Sequence, residues 1–240
     1  MLKKGGGMGN TEIKEIIHDA LRYPLSDWKK LLILGIITVF GTMAFTVKSS
    51  GITNHILIWF LLIVGFLIEI LIYGYIFRIM KSSFAGLVKL PEFNSLFEMY
   101  IEGIKMVIVQ IVYMIPVFLM IPGVLLHIGI LNLIANLYMI IIIPILLMAI
   151  TNMANGNDKL NAAFKLHEIF NKMGNIGWLN IIKWYITTGI IFLIIAFGIT
   201  IIIIAMVKPI SVALLIFYLI VAPYLEIYLY RSAALFYMSE

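Results

Sequence analysis

The sequence predicts an all-α polytopic membrane protein, and three observations lead there. Hydrophobic residues make up 63% of the 240 residues and charged residues 12%, where a soluble domain carries roughly 45–50% and 25%. The mean hydropathy of +1.09 excludes an intrinsically disordered chain, which needs low hydrophobicity and high net charge. Uncharged runs recur along the chain at about 20 residues, the length that crosses a ~30 Å hydrocarbon core at ~1.5 Å per residue. The net charge of +5 therefore reads as an orientation signal, because cytoplasmic loops retain Lys and Arg, and not as a nucleic-acid footprint. The absence of cysteine removes disulfides, thiolate metal sites and thiol nucleophiles.

Six spans follow from the uncharged runs. Residues 31–47 form the first, and 55–77 the second, interrupted by Glu69. The 52 uncharged residues between Lys105 and Asp158 are too many for one helix. They are expected to form spans at 104–121 and 130–150 joined near Pro122-Gly123, a turn-forming pair. Residues 184–207 form the fifth span, and 210–230 the sixth, interrupted by Glu226. Trp28, Trp59, Trp178 and Trp184 fall at or near span ends, where indole rings favour the headgroup level. With six spans, 15 of the 17 basic residues fall on one side and only Lys48 and Lys208 on the other. The positive-inside rule then puts both termini in the cytoplasm, in the cell membrane.

Residues 1–10 are expected to be a tail outside the single membrane domain of residues 11–240. Lys3-Lys4 leads into Gly5-Gly6-Gly7 where a signal peptide would begin its apolar region. The prefix reads either as a flexible tail or as a translated ribosome-binding site, with Met8 the true start.

A short helix with a 3.6-residue apolar rhythm precedes each pair of spans. Residues 11–22 align Ile13, Ile16, Ile17, Ala20 and Leu21. Residues 92–104, opened by Pro91, align Phe93, Leu96, Phe97, Tyr100, Ile101 and Ile104. Residues 158–173 align Leu160, Ala163, Phe164, Ile169, Phe170 and Met173. These three are expected to be amphipathic helices in the cytoplasmic interface. Helix, span, span thus occurs three times, and an ungapped match supports a repeat. Phe60 to Tyr73 and Phe217 to Tyr230 are identical at seven of 14 positions, at an offset of 157.

Catalytic signatures are missing: there is no H-E-x-x-H, P-loop, G-x-S-x-G or dinucleotide fingerprint, and His18, His55, His127 and His167 are scattered. No cofactor or metal is expected. The candidate polar site is Glu69 and Glu226 with Tyr73 and Tyr230, each tyrosine one turn beyond its glutamate. Glu69 lies nine residues before Arg78, about 13 Å along a helix, near mid-bilayer. A charged carboxylate there costs on the order of 3 kcal/mol. Two readings stay open: a proton, cation or headgroup site, or protonated or hydrogen-bonded carboxyls that tie helices together. Gln110, His127, Asn132 and Asn136 form a second polar group, expected to be solvated at the outer turn. Prolines at 116, 122, 144, 209 and 223 are expected to set kinks.

Several stretches resemble a known family. They are Ala20-Leu21-Arg22-Tyr23-Pro24 through Asp27-Trp28, Leu31-Leu32-Ile33-Leu34-Gly35, Gly74-Tyr75-Ile76-Phe77-Arg78, Leu90-Pro91-Glu92-Phe93 and Glu102-Gly103-Ile104-Lys105. Together they resemble archaeal multi-pass membrane proteins classified only as a domain of unknown function. The resemblance implies an archaeal cytoplasmic-membrane protein and carries no activity with it. The layout is also distantly similar to the membrane domains attached to some bacterial glycerophosphodiesterases, whose soluble catalytic domain this chain lacks. The expected role is a non-enzymatic scaffold whose partners are the lipid bilayer and a membrane or cytoplasmic protein. The alternative is a small transporter or channel using Glu69 and Glu226.

Overall fold

The structure, a computed structural model, describes residues 10–44, 47, 53–126, 128–156 and 158–239. Residues 1–9 with Met8, Lys48 and His127 lie outside the described residues. Within them the chain is helical, with no strand. In chain order the helices are α1 (Asn10–Arg22), α2 (Trp28–Gly41), α3 (His55–Phe84), α4 (Leu96–Leu125), α5 (Gly129–Asn155), α6 (Leu166–Ile176), α7 (Trp178–Met206) and α8 (Ile210–Met238). Five of them, α3, α4, α5, α7 and α8, are long and apolar enough to cross a membrane. α2 carries the start of the sequence-predicted first span, 31–47, and part of that span's far end lies outside the described residues.

Local chemistry sets the helix starts. Asp27 caps α2, accepting from the Lys30 backbone N–H at 3.3 Å, which satisfies one of the orphan donors of the first turn. Asn54 does the same for α3, accepting from Leu57 N at 3.1 Å. α1 buries Ile13, Ile17 and Ala20 and exposes Lys14, Glu15, His18 and Asp19. α6 buries Ile169, Met173 and Ile176. α8 contains a π turn over Phe217–Val221, and Pro223 accounts for it. Proline has no N–H to offer the Leu219 carbonyl four residues back, so the helix widens there. Gly35 of α2 fills the space: a Cβ on it would lie 1.8 Å from Leu219 O.

The helices pack at one end. Most buried side chains of α3 lie between Ile70 and Ser83, those of α5 between Ile142 and Ala154, and those of α8 between Val221 and Tyr237. In α7 they are Ile181, Trp184 and Thr188, all in its first half. The far half of α7 turns Leu193, Ile194, Phe197 and Ile201 outward, and its most apolar window contains no buried residue. In hydrocarbon such surface meets acyl chains, so it needs no protein partner. At the packed end, glycines let backbones touch. A Cβ on Gly74 of α3 would lie 1.8 Å from Met99 O of α4, and one on Gly103 of α4 would lie 1.8 Å from Ile70 O of α3.

Several boundaries differ from those the sequence predicts. Residues 92–104 do not form a helix of their own. The chain is irregular through Asn94 and Ser95, and Leu96 opens a helix that runs unbroken to Leu125. The apolar rhythm of 96–104 falls on the outward face of this longer helix, with Leu96, Phe97, Ile101 and Ile104 exposed, while Met99, Glu102 and Gly103 are buried. The helix also passes Pro122-Gly123, so the chain turns only after Leu125. Residues 158–173 divide into a 3₁₀ turn, Leu160–Phe164, and α6. Trp184 is fully buried, donates from Nε1 to Ser232 Oγ at 2.8 Å and stacks on Phe236 at 4.6 Å. α7 begins at Trp178, six residues before it, which carries the indole from the span end into the core. Trp28, Trp59 and Trp178 are exposed.

Candidate functional site

The structure brings the four sequence-predicted site residues together. The side chains of Glu69 and Tyr73 approach each other on α3, and both lie within electrostatic reach of Glu226 on α8. Tyr73 and Tyr230 are likewise neighbours. Gln110 of α4 joins them, its Nε2 donating to Tyr230 OH at a long 3.5 Å. Glu226 Oε2 is buried and meets no hydrogen-bond partner. Gln110 thus belongs with the carboxyls and not with the outer asparagines. Asn136 turns back on its own helix instead, donating to Asn132 O at 2.9 Å. Three helices contribute polar groups to one place in the bundle, where Glu226 and Glu69 would repel if both were ionised.

A second polar cluster, which sequence reasoning passes over, closes the packed end. Glu102 of α4 is 8% exposed and is shared by two cations of α3. Arg78 Nε donates to its Oε2 at 2.9 Å and Lys81 Nζ to its Oε1 at 3.0 Å. Arg78 also donates to Asn94 O, to Asn94 Oδ1 at 3.0 Å and to Ser95 O at 3.1 Å. Lys81 reaches on to Asp158 Oδ2 at 2.5 Å, and Lys105 donates to Asp158 O at 2.9 Å. Ser95 and Asp158 have φ of 46° and 59°, the left-handed region that residues with a Cβ rarely adopt. Each strained turn is thus held by cations of the cluster, and a site that over-determines such backbone is what lets it persist.

The same end is tied to the N-terminal segment. Tyr23 OH lies 2.8 Å from Ser82 Oγ and donates to Lys89 O at 3.0 Å. Burial raises the Tyr23 hydroxyl above its ordinary value. Lys30 Nζ donates to Leu90 O at 2.8 Å and to Glu92 Oε1 at 2.7 Å. Tyr75 stacks on Phe93 at 4.0 Å and donates to Pro91 O at 3.0 Å. Arg231 of α8, buried at 3% exposure, donates to Asp19 Oδ1 at 2.8 Å and to Leu87 O at 3.1 Å, with its guanidinium 4.1 Å from the Tyr23 ring.

One sequence signal for the Arg78–Glu102 pair exists. In an antiparallel helical hairpin, residues equidistant from the turn face each other, and Arg78 and Glu102 each lie 12 residues from Leu90. Nothing local points to Gln110, whose contact with Tyr230 spans 120 residues. Among the described residues, no group of three or more His, Asp or Glu side chains is placed to hold a metal ion.

Long apolar helices that pack through glycine contacts and gather most of their charges at one end define a polytopic helical membrane protein. The chain belongs to the family described as protein of unknown function (DUF4013), which matches residues 57–207. That stretch takes in Gly74, Arg78, Glu102 and Gly103, and so both the glycine crossing and the core of the ionic cluster. No curated protein and no solved structure matches the chain.

Proposed function

We propose that the protein is a non-enzymatic membrane scaffold that works through contact with lipid. In this reading it forms one domain of six spans, with α2 continuing as the first, and both termini lie in the cytoplasm of an archaeal cell. α1, the turn around Leu90 and the segment from Leu160 to Ile176 lie in the inner interface. The observation that carries the reading is the division of the bundle: an ion-paired, glycine-packed end beside long helical halves whose apolar side chains face outward. Such a body is held rigid at one interface and offers the rest of its surface to acyl chains. The pairwise meeting of Glu69 with Glu226 and Tyr73 with Tyr230 supports the sequence repeat, since each pair is separated by 157 residues.

The convergence of two carboxyls with an unpartnered Glu226 Oε2 favours a second reading, in which they carry protons or cations across the bilayer. Reconstitution into vesicles holding a pH gradient decides between the two. The scaffold reading expects the gradient to decay as in protein-free vesicles. Protein-dependent decay that Glu226→Gln abolishes, with thermal stability kept, establishes the transport reading instead.

A further inference from the structure

The surface of α6 divides three ways. Ile169, Met173 and Ile176 are buried against the bundle, and His167, Glu168, Asn171 and Asn175 are exposed on the opposite side. Between those faces Leu166 and Phe170, one turn apart, are 49% and 39% exposed, so protein covers only part of the apolar stripe. Gly177, whose φ of 97° suits a residue without a Cβ, then turns the chain into α7. Across that turn the Trp178 ring lies 6.1 Å from the ring of Phe170. From Trp178 an exposed apolar row runs along α7 through Ile182, Ile186, Leu193 and Phe197, at spacings of four and seven residues that keep it on one face. The uncovered edge of α6 is therefore continuous with the side of α7 that faces acyl chains.

We propose that Leu166, Phe170 and Trp178 form one insertion edge, which holds α6 in the membrane surface by apolar contact with the bilayer and not by attraction to headgroup charge. The occupant follows from continuity: the same surface runs into the lipid-facing row of α7, and an indole at its corner favours the headgroup level. An amphipathic helix in this position buries its apolar side about 5–10 Å into the boundary between headgroups and chains. The indifference to charge follows from where the cations of the segment stand. Lys165 is paired with Glu168 at 2.8 Å, and the Lys172 ammonium lies 5.0 Å from the centre of the Tyr237 ring. What the edge itself offers is aliphatic and aromatic. The insertion edge deepens the lipid-contact reading and rests on it.

Leu166→Cys, Phe170→Cys, Asn171→Cys and Ile186→Cys, each in the full chain, which has no other thiol, are labelled with a nitroxide. All four positions are exposed, and the two edge positions are tested separately, so each variant keeps the rest of the edge. The labelled proteins are reconstituted into vesicles of dioleoyl phosphatidylcholine, alone or mixed with dioleoyl phosphatidylglycerol. Electron paramagnetic resonance then compares collisions with oxygen, which concentrates in hydrocarbon, and with a water-soluble nickel chelate. The oxygen-to-nickel ratio at Leu166→Cys and Phe170→Cys is expected to be several-fold above that at Asn171→Cys and to approach that at Ile186→Cys, in both kinds of vesicle. A ratio at the edge equal to that at Asn171→Cys overturns the proposal and leaves the edge in water. Protection from both reagents overturns it in favour of a protein partner or a second copy of the chain. A high ratio only with phosphatidylglycerol overturns the hold by apolar contact. If Ile186→Cys is itself open to nickel, α7 does not face acyl chains, and the lipid-contact reading fails together with the edge.

Discussion

Gly74 and Gly103 meet where α3 crosses α4, and each stands against the other helix's backbone: a Cβ on either would lie 1.8 Å from a carbonyl oxygen, Met99 O or Ile70 O. Without a hydrophobic driving force between helices in lipid, this approach is how van der Waals contact is gained. It also brings Arg78 and Lys81 alongside Glu102. Two links of the chain from sequence to site thus depend on two hydrogen atoms.

Gly74→Ala or Gly103→Ala is expected to destabilise the protein by about 3 kcal/mol, the upper range for overpacking, because the atom in the way is a backbone oxygen and cannot rotate away. Gly189→Ala and Gly198→Ala, where a new Cβ meets nothing within 4 Å, should leave the melting temperature in detergent unchanged or raised. Equal tolerance at all four positions would remove the close crossing.

Glu102→Gln should cost about 3 kcal/mol, the low end for breaking a buried ion pair, since Arg78 loses its buried charged acceptor and Lys81 keeps only Asp158. Glu98→Gln should cost almost nothing: its side chain is 73% exposed and its contact with Arg78 is 3.8 Å long, the kind of surface pair worth little. Denaturation of the two variants side by side reads the difference.

Arg231→Met should release α1. The charge-assisted bond to Asp19 and the bond to Leu87 O would be lost, a change of about 2 kcal/mol. Hydrogen exchange should rise across residues 12–22 and little elsewhere. Arg231→Lys should not restore protection, because one ammonium cannot reproduce the guanidinium fork.

Asp27 gives a pH signature. Burial works to raise its carboxyl, but hydrogen bonds from Lys30 and the Lys30 charge overcome it and hold the group below its ordinary value. A carboxyl depressed in the folded state contributes stability that is complete above its unfolded value of about 3.9 and is lost as the pH falls through the folded one. Thermal melts of the wild type should therefore drop more steeply below about pH 4 than those of Asp27→Asn. Parallel acid limbs for the two proteins would show that the cap carries no such linkage.

The spans were legible in the sequence because hydrocarbon excludes charge, so an uncharged run marks itself. Their ends were less so. α3 continues through Arg78 and Lys81 to Phe84, since a helix that leaves the bilayer can keep its backbone pairing while its side chains turn polar. The rhythm of 96–104 marks a helix but not its length, because period alone does not say where a helix ends, and the face that packs on Gly74 is the one of Met99 and Gly103, not that of the exposed Leu96, Phe97, Ile101 and Ile104. Glu69 and Glu226 were found by their cost in hydrocarbon. Gln110, neutral and distant in sequence, raised no comparable signal. Glu102 looked like one acid on a polar face until the hairpin set it opposite Arg78.

The layout that all of this rests on is open to one direct measurement. The chain contains no cysteine, so a single introduced thiol reports alone. Val88 is exposed in the turn between α3 and α4, and Thr53 is exposed just before α3, at the opposite end of a 30-residue helix. In intact cells, a membrane-impermeant maleimide should label Thr53→Cys and should reach Val88→Cys only after permeabilisation. Labelling of Val88→Cys in intact cells, with Thr53→Cys protected, would put the ion-paired end outside and contradict the orientation on which the inner-interface placement rests.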